Sequence, residues 1–164
     1  MKLLILSGPP AAGKNTIATT LAKLRKKCAV IDVDAIRQMI IQPHKAPWEG
    51  KEGVRQQQFG IKNACLLAKK FLQQKYDVLI LDVLSDNTAK IYKKELKALN
   101  PKIILLLPTY PEIVKRNKMR TQWLKPTEIE MLYKQQEQFR LFDKKIDNTK
   151  MSIKETAKNL HQTF

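Results

Sequence analysis

Residues 8–16, Gly-Pro-Pro-Ala-Ala-Gly-Lys-Asn-Thr, follow directly on the apolar run Leu3-Leu4-Ile5-Leu6. Glycines at 8 and 13 let backbone amides turn inward around phosphate oxygens, and the helix that follows aims its positive end at the same point. Lys14 adds a full positive charge there. A strand before the loop and a helix-forming segment after it give this pattern the context of a nucleotide phosphate site rather than of a glycine-rich turn. The whole stretch Gly8, Pro9, Pro10, Ala11, Ala12, Gly13, Lys14, Asn15 and Thr16 is therefore expected to hold the phosphates of a nucleotide.

The rest of the chain alternates short apolar runs with longer amphipathic ones, the pattern of βα units around a mainly parallel sheet. Five strands are predicted, at 2–7, 29–33, 77–82, 102–107 and, more weakly patterned, 145–147. The first four are nearly uninterrupted apolar runs, as required where helices cover both faces of a sheet. Helices are predicted at 14–27, 34–41, 52–75, 88–99, 111–120, 127–142 and 152–163. Capping boxes are expected from Thr109 with Glu112, Thr127 with Glu130 and Ser152 with Glu155. The expectation is a single α/β domain over 1–164, three-layered, with one long irregular loop at 42–51.

The formal net charge is +16, from 31 Lys and Arg against 15 Asp and Glu. That balance favours phosphorylated or polyanionic partners, nucleic acid among them, and is equally met by a solvated basic surface. Cys28 and Cys65 form no CxxC or Cys/His cluster, so neither a disulfide framework nor a zinc site is expected. Leu3–Leu6 is too short for a signal-peptide core, and no run approaches the ~20 apolar residues of a membrane span. A cytoplasmic, reducing setting is expected, with the oligomeric state left open.

Five further groups of residues carry chemistry. Position 15 usually offers a Ser or Thr hydroxyl to Mg2+; here it is Asn15, and the hydroxyl moves to Thr16. Asp34 and Arg37 follow the second strand three residues apart, so they share a helix face beside the phosphate site. Asp34 reads as an acid/base group or as a helix N-cap. Asp82 ends the apolar run Val78–Leu81, the placement of an acid that binds Mg2+ directly or through water, or of a turn residue. Arg116 and Arg120, four apart, project from one helix face, over a transferring phosphoryl group or into solvent. In the loop region, His44, Trp48, Glu49, Arg55 and Gln57 offer stacking and hydrogen bonds to an acceptor, or ordinary packing.

The loop with Thr16 two places after Lys14 resembles that of adenylate kinases and related nucleoside monophosphate kinases. The stretch Asp34-Ala35-Ile36-Arg37-Gln38-Met39-Ile40 resembles P-loop polynucleotide kinases, and Val33-Asp34 is similar to the Val-Asp of chloramphenicol phosphotransferases. These resemblances imply a five-stranded P-loop kinase fold with ATP and Mg2+ as cofactors and the metal held largely through water by Thr16 and Asp82. They imply Asp34 as catalytic base and Arg37 as a substrate contact. Arg116 and Arg120 are similar to the paired lid arginines of adenylate kinases, with 121–126 as a very short lid. Ile146-Asp147-Asn148-Thr149 resembles the last strand and turn of such enzymes, whose backbone faces adenine.

Together these readings lead to an ATP-dependent phosphotransferase that moves the γ-phosphoryl group to a hydroxyl or phosphate on a small molecule, nucleotide or nucleic-acid end, with catalysis by Lys14, Asp34, Arg116 and Arg120. A nucleotide-binding regulatory NTPase is the alternative. No switch-like segment with a water-orienting Gln stands beside the third strand, and this favours the kinase.

Overall fold

The computed structural model describes residues 1–121 and 124–163. Five strands, β1 (Leu3–Ser7), β2 (Cys28–Asp32), β3 (Asp77–Asp82), β4 (Lys102–Leu106) and β5 (Lys144–Ile146), form one sheet in the order β2-β3-β1-β4-β5. Every pairing is parallel, with Ile5 opposite Ile80 on one side and Ile103 on the other. The expected "mainly parallel" sheet is thus parallel throughout.

Successive side chains of a strand leave opposite faces, so the apolar run of β1 feeds two cores at once. Leu3 and Ile5 pack with Ile31, Ile80 and Ile103 beneath Ile61, Cys65 and Tyr92. Leu4 and Leu6 pack with Leu79, Ile104, Ile17 and Leu160 on the other face. The first layer is supplied by α2 (Val33–Gln38), α3 (Gly50–Gln73) and α4 (Asp86–Glu95), and the second by α1 (Lys14–Lys23), α5 (Tyr110–Lys118), α6 (Pro126–Gln138) and α7 (Ile153–Thr163). This is the three-layer α/β arrangement expected from the pattern.

Helix ends differ from the expected ones for local reasons. α1 stops at Lys23 rather than 27, and Arg25 turns back to an ion pair with Asp77 at 2.7 Å. α6 stops at Gln138 rather than 142: Phe139 turns extended and buries its ring against Phe142, while the Arg140 and Leu141 amides donate to Asp86 Oδ1 at 2.8 and 3.1 Å. The helix expected at 88–99 starts at Asp86 and closes as a 3-10 turn over Lys97–Leu99.

Of the three expected capping boxes, only Ser152–Glu155 forms reciprocally. Thr109 precedes α5 without a side-chain cap, and Glu112 is drawn instead to Arg116 at 2.8 Å. α6 begins at Pro126, so Glu128 accepts from the Lys125 amide at 3.0 Å while Glu130 pairs with Lys134. Ser85 and Thr88 make an unforeseen box ahead of α4. Among the described residues no helix is long and apolar enough to cross a membrane.

Candidate functional site

All five strands point the same way, so their carboxyl ends share one edge, and there the structure opens a cleft of about 950 Å³. Its floor is the loop between β1 and α1. Gly8 enters it at φ +154, and a Cβ there would lie 2.4 Å from the Leu106 carbonyl oxygen, so only glycine lets the loop pass this close to β4. Ala11 (φ 66) and Gly13 (φ 92) are left-handed, which turns successive amides toward a common centre. The loop is clamped from outside by Asn148, whose Nδ2 donates to the Ala12 carbonyl at 3.0 Å.

The Lys14 ammonium folds back onto the loop, donating to the Gly8 and Pro9 carbonyls at 2.7 and 3.2 Å. Desolvation pushes its pKa down to about 8, against the opposing fields of Asp34, Asp82 and Asp32. A cation this poorly hydrated is poised to exchange two carbonyls for anionic oxygens.

Asp32, which sequence reasoning did not single out, organises the cleft's edge. It is the N-cap of α2, accepting from the Asp34 amide at 3.0 Å through Oδ1, and its Oδ2 accepts from Asn15 Nδ2 at 2.6 Å. The capping role weighed for Asp34 thus belongs to Asp32. The signal was present, since an Asp closing an apolar strand directly before a helix is an N-cap pattern.

Asp34 is left free of the cap and stands at the mouth, its side chain 58% exposed, accepting from Arg37 Nη1 at 2.9 Å. Arg37 itself is buried. Its Nη2 donates to the Lys45 carbonyl at 3.1 Å, and its buried Nε has no partner among the described residues. Room for this guanidinium comes from Gly60 of α3, where a Cβ would meet Arg37 Cγ at 2.7 Å. Gln56 holds the loop above it, donating to the Pro43 carbonyl and accepting from the Lys45 amide at 2.6 and 3.0 Å.

Asp82 lies at the back of the cleft, buried, accepting from the Val83 amide at 2.7 Å and the Tyr92 hydroxyl at 2.8 Å. Burial pushes its pKa up to about 6, against the stabilising Tyr92 hydroxyl. Tyr92 is raised well above its ordinary range by burial and by Asp82, so it stays a donor. Beneath the loop, the Ser7 hydroxyl donates to Gln136 Oε1 at 2.9 Å and accepts from the Leu84 amide at 3.0 Å, while Gln136 Nε2 donates to the Leu84 carbonyl at 2.6 Å.

Arg116 and Arg120 both line the cleft from the opposite wall. Arg116 is tethered by Glu112 and by the Asn148 carbonyl at 3.1 Å, so Asn148 touches both the phosphate loop and this arginine. His44, Trp48 and Gln57 also line the cleft. Glu49 and Arg55 do not: the Glu49 carboxylate accepts from the Ala46 amide, and Arg55 pairs with Glu52 on an exposed face of α3. The acceptor contacts expected of them are thus not brought to the cleft lining in this structure. Of the short lid expected at 121–126, Gln122 and Trp123 lie outside the described residues, while Leu124 lines the cleft.

The residues present fit a magnesium nucleotide. The loop amides, Lys14 and two arginines supply donors for phosphate oxygens. Among the described residues no three or more His, Cys, Asp or Glu side chains are grouped to hold a metal by themselves. That suits Mg2+, which is commonly held by one or two carboxylates together with substrate phosphates and water. Asp82 and Thr16 both line the cleft and carry oxygens of the kind such a site uses.

No family model matches the chain, and no curated protein matches it by sequence. Its architecture is nevertheless shared with solved structures. A shikimate kinase from Acinetobacter baumannii, in complex with shikimate, superposes with TM-score 0.67 at 19% identity, covering 99% of this chain and 92% of that one. A tunicamycin resistance protein of Deinococcus radiodurans does so with TM-score 0.66 at 17% identity, over 99% and 95%. A chain of the Pnkp1/Rnl/Hen1 RNA repair complex gives TM-score 0.66 at 19% identity, over 83% of this chain and 44% of that one. The fold is the P-loop kinase fold.

Proposed function

We propose that this chain is an ATP-dependent phosphotransferase that passes the γ-phosphoryl group to a hydroxyl or phosphate acceptor. One observation carries the reading: Asp34, at the mouth, and Lys14, on the floor, face a single cleft whose far wall holds Arg116 and Arg120. Phosphoryl transfer needs little covalent chemistry from the protein, and positioning together with charge neutralisation supplies most of the rate.

In this reading Lys14 and the loop amides hold the donor's phosphates, and Arg116 and Arg120 neutralise charge on the group in flight. Asp82 and Thr16 would hold Mg2+, which would supply further charge neutralisation. Asp34 accepts the acceptor's proton and aims its oxygen in line. Arg37 keeps the Asp34 carboxylate oriented and, lining the cleft beside it, is the contact for an anionic group on the acceptor. His44 and Trp48 form the acceptor's side of the cleft.

The test is transfer of label from [γ-32P]ATP to a panel of hydroxyl and phosphate acceptors, small molecules, nucleotides and oligonucleotide ends included. Label on one acceptor class supports the reading. Label released only as inorganic phosphate, whatever acceptor is added, supports the regulatory NTPase instead.

A further inference from the structure

The cleft does not absorb the charge of this protein. Its lining carries four cations, Lys14, Arg37, Arg116 and Arg120, against three carboxylates, Asp32, Asp34 and Asp82, whereas the whole chain has a formal net charge of +16. The parallel sheet shows where much of the excess lies. Each strand enters at the pole opposite the cleft, and the segments leading into them are rich in lysine: Lys26 and Lys27 before β2, Lys75 before β3, Lys2 before β1, and Lys97 and Lys102 at β4. All six are exposed.

The carboxylates at this pole do not neutralise them. Asp77 is held by Arg25 and by the Lys2 main-chain amide, at 2.7 Å each. Asp143 accepts from the Ile103 amide at 2.7 Å. Glu95, a further acid among the described residues, closes α4 half-buried. Part of the lysine content complements the negative ends of α1 and α3, which terminate here. That accounts for Lys23 and Lys70 in the last turns, but not for lysines in the strand entries beyond them.

We propose that this pole is a second binding surface, separate from the cleft, for the sugar–phosphate backbone of a nucleic acid. The lysines form a row across strands spaced ~4.8 Å apart, so the row from β2 to β4 spans about 14 Å, enough to meet several backbone phosphates. Lysines are point charges suited to phosphates and carry no base readout, so binding there is independent of sequence. Tyr76, with Lys27 Nζ 5.6 Å from its ring centroid and Phe71 edge-on at 5.9 Å, adds an aromatic face among the cations. An anionic membrane is less well matched. The exposed apolar side chains at this pole, Met1, Leu24, Phe71 and Leu99, come from separate segments between the lysines and form no single amphipathic stripe.

The experiment uses the full chain and fluorescein-labelled 20-nucleotide RNA and DNA duplexes, followed by anisotropy between 50 and 200 mM salt. The pole variant K26E/K75E/K97E/K102E is compared with K115E/K118E/K150E/K154E, which makes the same charge change at the cleft end, and with Arg120→Ala. Thermal melting checks that each is folded. The proposal expects micromolar or tighter binding at low salt with a steep salt slope, at least a 10-fold loss in the pole variant, a clearly smaller loss in the charge-matched control, and no loss in Arg120→Ala. Equal losses in the two quadruple variants, or loss in Arg120→Ala without loss in the pole variant, overturn it. So does pole-dependent binding to phosphatidylserine vesicles without pole-dependent binding to either oligonucleotide.

Discussion

Asn15 donates its side-chain amide to Asp32 Oδ2 at 2.6 Å, tying the first turn of α1 to the residue that caps α2. The position that usually carries a metal-binding hydroxyl is here committed to tying the start of α1 to the start of α2. Asn15→Ala should cost about 1 kcal/mol in urea denaturation, the ordinary worth of a hydrogen bond to a charged group in a solvent-exposed setting. Asn15→Asp places two carboxylates in contact beside the phosphate site and should lower MgATP affinity more than Asn15→Ala, as read by calorimetry.

Lys14 is held in the fold with its charged form disfavoured, its pKa pushed down from 10.5 to about 8. Because the folded value is the lower one, the penalty is present in full below about pH 8 and fades as pH rises toward 10.5. Removing the charge at pH 7 therefore relieves at most roughly 3 kcal/mol, less whatever the bonds to Gly8 and Pro9 return. Lys14→Met should melt a few degrees higher than wild type without nucleotide, and ATP should no longer raise its melting temperature.

Asp82 shows the opposite sign. Its pKa is pushed up from 3.8 to about 6, so the fold binds this proton more tightly than the unfolded chain does. Its contribution to stability grows as pH falls from about 6 toward 4, and the cost of ionising it is felt in full above about pH 6. Asp82→Asn removes that dependence while leaving an acceptor for Tyr92. Between pH 8 and pH 4 the stability of wild type relative to the variant should rise by about 1–3 kcal/mol, measured by chemical denaturation at each pH.

The Ser7–Gln136–Leu84 network is buried and mutually satisfied. Gln136→Leu takes the acceptor of the Ser7 hydroxyl proton away and leaves the Leu84 carbonyl only the longer bond from Gln135 Nε2 at 3.4 Å, which should cost about 2–4 kcal/mol. The same denaturation measurement reads it. A loss under 0.5 kcal/mol, on the order of a surface substitution, would show that the network is not holding β1 to α6.

The contrast between these sites explains what could be read from the sequence. The strands and the phosphate loop announce themselves over a few residues: Leu3–Leu6 must be a buried strand, and Gly8 and Gly13 must bend. Asp34 and Arg37 were legible because they lie on one turn of helix. Contacts formed across the fold were not. Asn148 reaches Ala12 over 136 residues, and no local spacing marks it. The burial of Arg37 depends on Gly60, in a different helix. Glu49 and Arg55 had the right chemistry for an acceptor site, but the Ala46 amide and the Glu52 carboxylate stand nearer. The ends of α1 and α6 moved inward because Arg25 and Phe139 found tertiary partners that helix propensity does not foresee.

In the proposed reaction Asp34 acts on the acceptor while Lys14 acts on the donor. The direct measurement is single-turnover transfer from labelled ATP to the acceptor found in the panel, together with ATP binding, for Asp34→Asn. Transfer should fall by about 10²-fold or more, a scale typical of losing a general base, while ATP affinity stays within about threefold of wild type. Transfer by Asp34→Asn at the wild-type rate would contradict that role.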